Sequence, residues 1–343
     1  MSSSGEAEDV VCSGAHHPIT AWAVTTGEAG MRTQARGLAQ AVADVVVEKV
    51  VALRAPWSWF PAAMAPRALD GLNAASDPLG PPWPDLVVGC GRRSAAVVIT
   101  IGKASGGRTL IVQIQDPRSS RAAFDLIVAT EHDPTPAAAN VIKTPTAPHD
   151  LTAENLIAAA DAWRARFKGL GRPLAGVLIG GPTRRHPFGE AQALRLIAGL
   201  RRLRDEGGVG LAITPSRRTP ARVRALLDEA FGGDRRVFLW DLAGDNPYRG
   251  ILALSDRLVV TGESVSMISE ALATGHPVEV FDIGSRRHEA FLDRLVAQGS
   301  LRRFTGDPSP PLAAHPVDST QVAAEAVRAL LRDRGVFGAD QAT

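Results

Sequence analysis

Short apolar runs that close on polar or glycine-rich turns alternate along the chain with longer segments of helical spacing. In the first part the runs are ITAWAVTTG (19–27), DLVVGCG (85–91), TLIVQIQ (109–115) and DLIVATEHD (125–133). Continuous apolar character is the mark of strands buried on both faces of a parallel sheet. Between them, MRTQARGLAQAVA (31–43) and RRSAAVVITIGKA (92–104) have the composition of helices, although the second is also rich in β-branched residues. This succession predicts the βα units of a doubly wound sheet.

AENLIAAADAWRARFKGLGRP (153–173) reads as a helix stopped by glycines and a proline, and so as the linker to a second series. That series has the runs AGVLIGGP (175–182), GLAITPS (210–216), RVFLW (236–240), DRLVVTG (256–262) and PVEVFDIG (277–284), with helical segments such as EAQALRLIAGLRRLRDE (190–206) between them. The expected fold is therefore α/β, with two tandem Rossmann-like domains. VAAEAVRALLRDRG (322–335) has amphipathic spacing and is expected to return and brace one domain against the other. The expected boundaries are a flexible tail over 1–17, domains over 18–165 and 166–320, and a C-terminal helix and tail over 321–343. A length of 343 residues suits two domains of ordinary size.

Composition narrows the class. With 45% hydrophobic and 22% charged residues the chain is neither disordered nor fibrous. A formal net charge of +2 argues against a nucleic-acid partner. Lysine occurs only at Lys49, Lys103, Lys143 and Lys168; the other cations are arginines, which suit bidentate contact with phosphate or carboxylate, although a biased genome gives the same preference. Cys12 and Cys90 form neither a disulfide framework nor a metal-binding spacing, so a reducing compartment is expected. The opening MSSSGEAEDVVCSGAHH lacks a basic stretch followed by an apolar one, which argues against a secretory signal. No apolar run approaches the ~18 residues of a membrane span, so the expectation is a cytoplasmic protein, soluble or peripheral at the inner membrane.

Ligands of open α/β sheets bind at the carboxyl ends of the strands. Four apolar runs are followed there by arginine pairs, Arg92 and Arg93, Arg184 and Arg185, Arg217 and Arg218, and Arg286 and Arg287. They read as anion ligands or as solvated helix starts. Gly180 and Gly181, like Gly27 and Gly30, permit either close backbone approach to a ligand or simply a tight turn. Neither stretch matches the G-x-G-x-x-G or G-x-x-x-x-G-K-[ST] fingerprint, so NAD and ATP chemistry lose weight and no cofactor is expected.

In TGESVSMISEALATGHP (261–277), Gly262 and Ser264 end a strand and a helix starts near Val265. Its first amides are unpaired donors at the positive end of the helix dipole, a seat for a diphosphate. Glu270, further along the helix, is placed to accept from the hydroxyls of a ribose whose phosphates lie at that start. The competing reading is an N-cap serine with a solvent-facing glutamate.

The stretches QIQDPR (113–118), FDLIVATEHD (124–133), IGGPTRRH (179–186), SRRTP (216–220) and GDNPYRGILALSDRLVVTGESVSMISEALATGHPV (244–278) resemble the mitochondrial-fission (elongated mitochondria) protein family, over about Trp22 to Asp282. More distantly, the second half is similar to the donor domain of GT-B glycosyltransferases. That resemblance implies a cleft between an acceptor-side first domain and a nucleotide-side second domain, holding a nucleotide-diphosphate sugar. It places Gly180 and Gly181 beside the pyrophosphate, Ser264 and Ser266, followed by Met267, at the phosphate seat, Glu270 on the ribose, and Ser216, Arg217 and Arg218 near the leaving diphosphate. An inverting transfer also needs a base in the first domain. The histidine found near the first glycine turn in the GT-B enzyme of peptidoglycan synthesis is missing here, which leaves Glu28, His132 and Asp133 as candidates. The triplet Glu131–Asp133 has no further clustered His or Cys, so no metal site is expected.

The family's plant members carry the alternative of a non-enzymatic adaptor that recruits a partner to a membrane. A nucleotide-sugar epimerase fits poorly, because there is no dinucleotide fingerprint and no Tyr-x-x-x-Lys pair; the one tyrosine is Tyr248. Finally, APWSWFPAAMAPRAL (55–69) gathers Trp57, Trp59, Phe60 and Met64 between Arg54 and Arg67. It is either core or an apolar patch with a basic rim, suited to a lipid-linked acceptor or a membrane surface.

Overall fold

The computed structural model describes residues 17–65, 67–182, 187–284, 288–309 and 315–336. Most of the expected N-terminal tail, including Cys12, lies outside these residues.

The first sheet is built from β1 (Thr20–Thr25), β2 (Val45–Val50), β3 (Leu86–Cys90), β4 (Leu110–Ile114), β5 (Leu126–Thr130) and β6 (Val141–Thr144), in the order β2-β1-β3-β4-β5-β6 with every pair parallel. The second contains β7 (Leu174–Ile179), β8 (Gly210–Pro215), β9 (Val237–Leu239), β10 (Arg257–Thr261), β11 (Val278–Phe281) and β12 (Arg302–Arg303), in the order β12-β11-β10-β7-β8-β9, again all parallel. The chain is thus two tandem Rossmann-like domains. Every strand expected from an apolar run is present. The three that the runs did not reveal, β2, β6 and β12, all stand at sheet edges, where one side is unpaired and burial is incomplete.

Helices α1 (Ala29–Gln40) and α2 (Ala95–Ala104) cover the first sheet. Val97, Val98, Ile99 and Ile101 of α2 are all buried, so packing outweighs the modest helix cost of their branching. On the second domain lie α4 (Glu190–Asp205), α5 (Ala221–Phe231), α6 (Tyr248–Leu254), α7 (Val265–Ala273) and α8 (Glu289–Ala297).

Two further helices join the halves. The linker helix α3 (Ala153–Phe167) contains the expected boundary at 165/166, and it packs Trp163 and Phe167 into the second domain's core. Its seat on α6 is Gly250, where any Cβ would stand 2.4 Å from the Trp163 ring. The terminal helix α9 (Ser319–Asp333) returns to the first domain and buries Ala323, Ala324, Val327 and Leu331 beside Ala35, Leu38 and Ala39 of α1. Between them, Asp150 accepts hydrogen bonds from Arg36 of α1 (2.9 Å) and Arg249 of α6 (2.8 Å), so one buried carboxylate ties both domains to the crossing segment.

The segment between β2 and β3 forms three 3-10 turns, Trp57–Trp59, Ala62–Met64 and Ala68–Gly71. Trp57 packs on Gly71 and belongs to the fold, whereas Trp59 and Met64 are 77% and 68% exposed and Phe60 joins them at the surface. No described helix is long and apolar enough to cross a membrane.

Candidate functional site

Parallel pairing sends each loop that follows a strand to the same sheet edge. These edges enclose a cleft of about 220 Å³, lined from the first domain by the ends of β4 and β5 with His132 and Asp133, and from the second by Arg218 and the segment Glu263–Ser266. In the second sheet the strand order reverses between β7 and β10, so the turns at Gly180–Gly181 and Thr261–Ser264 meet at the position where doubly wound sheets bind ligands.

The glycine turn is held by its neighbours. The Gly180 N–H donates to Thr261 Oγ1 and the Gly181 N–H to Glu263 Oε1, each at 2.9 Å. A Cβ on Gly181 would lie 2.4 Å from the Arg218 carbonyl oxygen, so only glycine fits this approach. Ser216 shapes the next turn: its N–H donates to Ile179 O (2.8 Å) and its Oγ accepts from the Arg218 N–H (3.3 Å). Arg217 and Arg218 are both exposed, and of the two Arg218 lines the cleft. Arg184, Arg185, Arg286 and Arg287 lie outside the described residues.

Ser264 is the N-cap of α7, its Oγ accepting from the Met267 N–H at 3.4 Å. Capping leaves the amides of Val265 and Ser266 at the positive head of the helix. The Ser266 Oγ accepts from Gln34 Nε2 of α1 (2.9 Å), and Gly30 leaves room for this contact, since a Cβ there would be 2.8 Å from the hydroxyl. Gly262 is buried beneath the turn, and the half-buried Met267 packs against the second domain's core.

Glu270 is not solvent-facing: it is 7% exposed and accepts a short hydrogen bond from Tyr248. Burial pushes its carboxyl up to about 7, against the opposing pull of the Tyr248 hydroxyl, with Asp150 raising it further.

In the first domain, His132 and Asp133 follow β5. The His132 Nε2 lies 3.4 Å from Thr130 Oγ1 and 3.9 Å from Asp133 Oδ1. The ring stands edge-on to His288, at the start of α8, with centroids 5.7 Å apart, and leans on Phe291 at 4.7 Å. Glu28 is separate from this group; it is exposed just before α1 and accepts from Thr26 Oγ1 at 2.5 Å.

The structure adds Gln34, Glu263 and His288, which the sequence reading did not single out. Glu263 lay inside the quoted motif, but nothing in its spacing distinguished it from Ser264. It is 5% exposed, its Oε1 is held by Gly181 and by Thr261 Oγ1 (3.3 Å), and its Oε2 is buried with no hydrogen-bond partner among the described residues. Burial raises its carboxyl above the ordinary carboxylate value, and the hydrogen bonds it accepts offset this only in part.

Two Rossmann-like domains facing each other across such a cleft define the GT-B type of fold. Solved structures similar over nearly the whole chain have this architecture. They include the S. aureus MnaA–UDP co-structure (14% identity, TM-score 0.54, covering 93% of this chain and 98% of that one). Another is UDP-GlcNAc 2-epimerase from Neisseria meningitidis bound to UDP-GlcNAc (12% identity, TM-score 0.52, 92% and 100%). At these identities the likeness concerns the fold alone. The chain belongs to the mitochondrial fission ELM1 family, whose model matches residues 29–331. Mitochondrial fission protein ELM1 of Arabidopsis thaliana is 32% identical over 278 residues, covering 74% of this chain; the match spans 65% of that relative's length.

Proposed function

We propose that the chain binds a nucleotide-diphosphate sugar in the interdomain cleft and transfers the sugar to an acceptor hydroxyl. The observation that carries this is the juxtaposition, in one cleft, of an anion seat at the head of α7 with Arg218 and an imidazole–carboxylate pair from the opposite domain. In the transfer, the acceptor oxygen bonds to the anomeric carbon as the bond from that carbon to the diphosphate oxygen breaks. The acceptor proton passes to His132, near which the Asp133 carboxylate stands at 3.9 Å, and the diphosphate leaves with its charge stabilised by the helix head and Arg218. Glu270, buried one helix turn from the seat, is the ribose ligand in this reading. Titration calorimetry against UDP, GDP, ADP and CMP sugars tests it. One of the panel is expected to bind, and Arg218→Ala, at an exposed position, to weaken that binding roughly tenfold through loss of a charged hydrogen bond. Absence of binding to the whole panel by the intact protein overturns the reading.

A second reading, a membrane-associated adaptor, is favoured by the exposed Trp59, Phe60 and Met64 beside Arg54 and Arg67. Such a patch suits an anionic bilayer, aromatic rings entering the interface and guanidinium groups meeting the head groups. The wild type is expected to sediment with phosphatidylglycerol-containing liposomes at low salt, and a folded Trp59→Ser, Phe60→Ser, Met64→Ser variant to remain in the supernatant. Wild type in the supernatant would end this reading. Trp57 is left intact because it packs on Gly71.

A further inference from the structure

Glu263 is a buried ionisable group of the cleft that the proposed transfer leaves unused. One of its oxygens is spent inside the protein, accepting from the Gly181 N–H at 2.9 Å and from Thr261 Oγ1 at 3.3 Å. This anchoring fixes where the other oxygen points. That oxygen, Oε2, is buried without a partner in a residue that lines the cleft. An unpaired buried carboxyl oxygen is costly to keep and is a standing demand for a hydrogen-bonding ligand group.

The surroundings say which part of a ligand meets that demand. Arg218 and the head of α7 belong to the second domain's side of the cleft and attract an anion, whereas His132, Asp133 and His288 also line it. A phosphate oxygen is the wrong partner for Oε2, since two acceptors would face each other and Glu263 already occupies the Gly181 amide. A sugar hydroxyl is the right one. It donates to the ionised carboxylate, a charge-assisted hydrogen bond that a neutral amide in the same place does not supply.

We infer that Glu263 is a specificity-determining residue that holds a hydroxyl of the sugar carried by the nucleotide diphosphate, which sits on the head of α7 and not on the Gly180–Gly181 turn. The inference rests on the nucleotide-sugar reading and assigns the sugar's own contact within it. An already anchored carboxyl costs little ordering on binding, so the contact is expected to appear as added affinity for the sugar nucleotide over the bare nucleotide.

Calorimetry with UDP and UDP-GlcNAc on the full chain, wild type against Glu263→Gln, separates the possibilities. Glutamine keeps a carbonyl oxygen for the Gly181 N–H but, so anchored, presents an amide donor where Oε2 stood. The expected result is that wild type binds UDP-GlcNAc more tightly than UDP, that Glu263→Gln leaves UDP binding within about twofold, and that it weakens UDP-GlcNAc binding roughly ten- to a hundredfold. Equal weakening of both ligands would show that Glu263 only supports the glycine turn, and an unchanged preference for the sugar nucleotide would show that it makes no contact; either overturns the inference while leaving the nucleotide site standing. Equal affinity of wild type for the two ligands overturns it as well. If wild type binds neither, the same comparison is made with the panel nucleotide sugar that it does bind and the matching bare nucleotide; if it binds none of the panel, the nucleotide-sugar reading fails and the assignment of Glu263 falls with it.

Discussion

Replacing Glu279 by Gln is expected to lower the stability of the protein by roughly 3–5 kcal/mol, the range for breaking one partner out of a buried ion pair. Glu279 on β11 and Arg257 on the neighbouring β10 are each 1% exposed, Glu279 standing opposite Val259, two residues along from Arg257. The carboxylate accepts from Arg257 Nε and Arg302 Nε, both at 2.9 Å. Apart from Glu279, Arg257 reaches the carbonyl oxygens of Asp307 (3.3 Å) and Ser309 (3.5 Å), which cannot neutralise it. Removing the negative charge therefore strands a guanidinium in the interior, whereas Arg302, only partly buried, can turn to water. The double variant Arg257→Met, Glu279→Leu removes both charges and is expected to recover most of the loss, because similar volume is kept and no desolvated ion remains. Guanidinium denaturation followed by circular dichroism measures both. A double variant as unstable as Glu279→Gln would mean that the cost lies in packing and not in the unpaired charge.

The second large effect is pH-dependent. Glu270 in the folded protein holds its proton up to about pH 7, against an ordinary value of 4.5, because burial disfavours the carboxylate. Below pH 4.5 both folded and unfolded chains are protonated at this residue, and it has no pH-dependent effect. As pH rises from 4.5 through 7 the unfolded chain releases this proton and the folded chain does not, so the relative stability it contributes is lost over that window. The interval corresponds to about 3 kcal/mol. Glu270→Gln keeps a carbonyl oxygen for Tyr248 but cannot ionise, so its stability relative to wild type is expected to increase by about that amount between pH 4.5 and 7.5. Parallel denaturation series across that range give the difference directly. A flat difference would mean that Glu270 is ionised in the fold and fully compensated by Arg249 and His149. The same pocket explains the raised Tyr248 hydroxyl, first through burial and then through the neighbouring Glu270 charge.

The periodicity of the chain by itself determined the two-domain α/β architecture, because a central parallel strand must be apolar throughout and the turn after it must be polar or glycine. Runs such as LVVGC and LVVT needed no tertiary information. The start of α7 was legible for the same local reason, since a serine followed by a helix-forming segment caps its own amides. What the sequence left open was decided by burial and by contacts between distant segments. Glu270 had equally good local reasons to face solvent or a ligand, and only the approach of Tyr248 and Asp150 from other elements buried it. Trp57 and Trp59, two residues apart and alike in composition, were separated by Gly71, which offers one ring a seat and leaves the other exposed. Glu28 and His132 were equivalent as bases until the sheets assembled, which put one at the surface and the other in the cleft. Glu263 could not be distinguished in a line of letters, because its meaning depends on the Gly181 amide 82 residues away, brought to it by the reversal of strand order between β7 and β10.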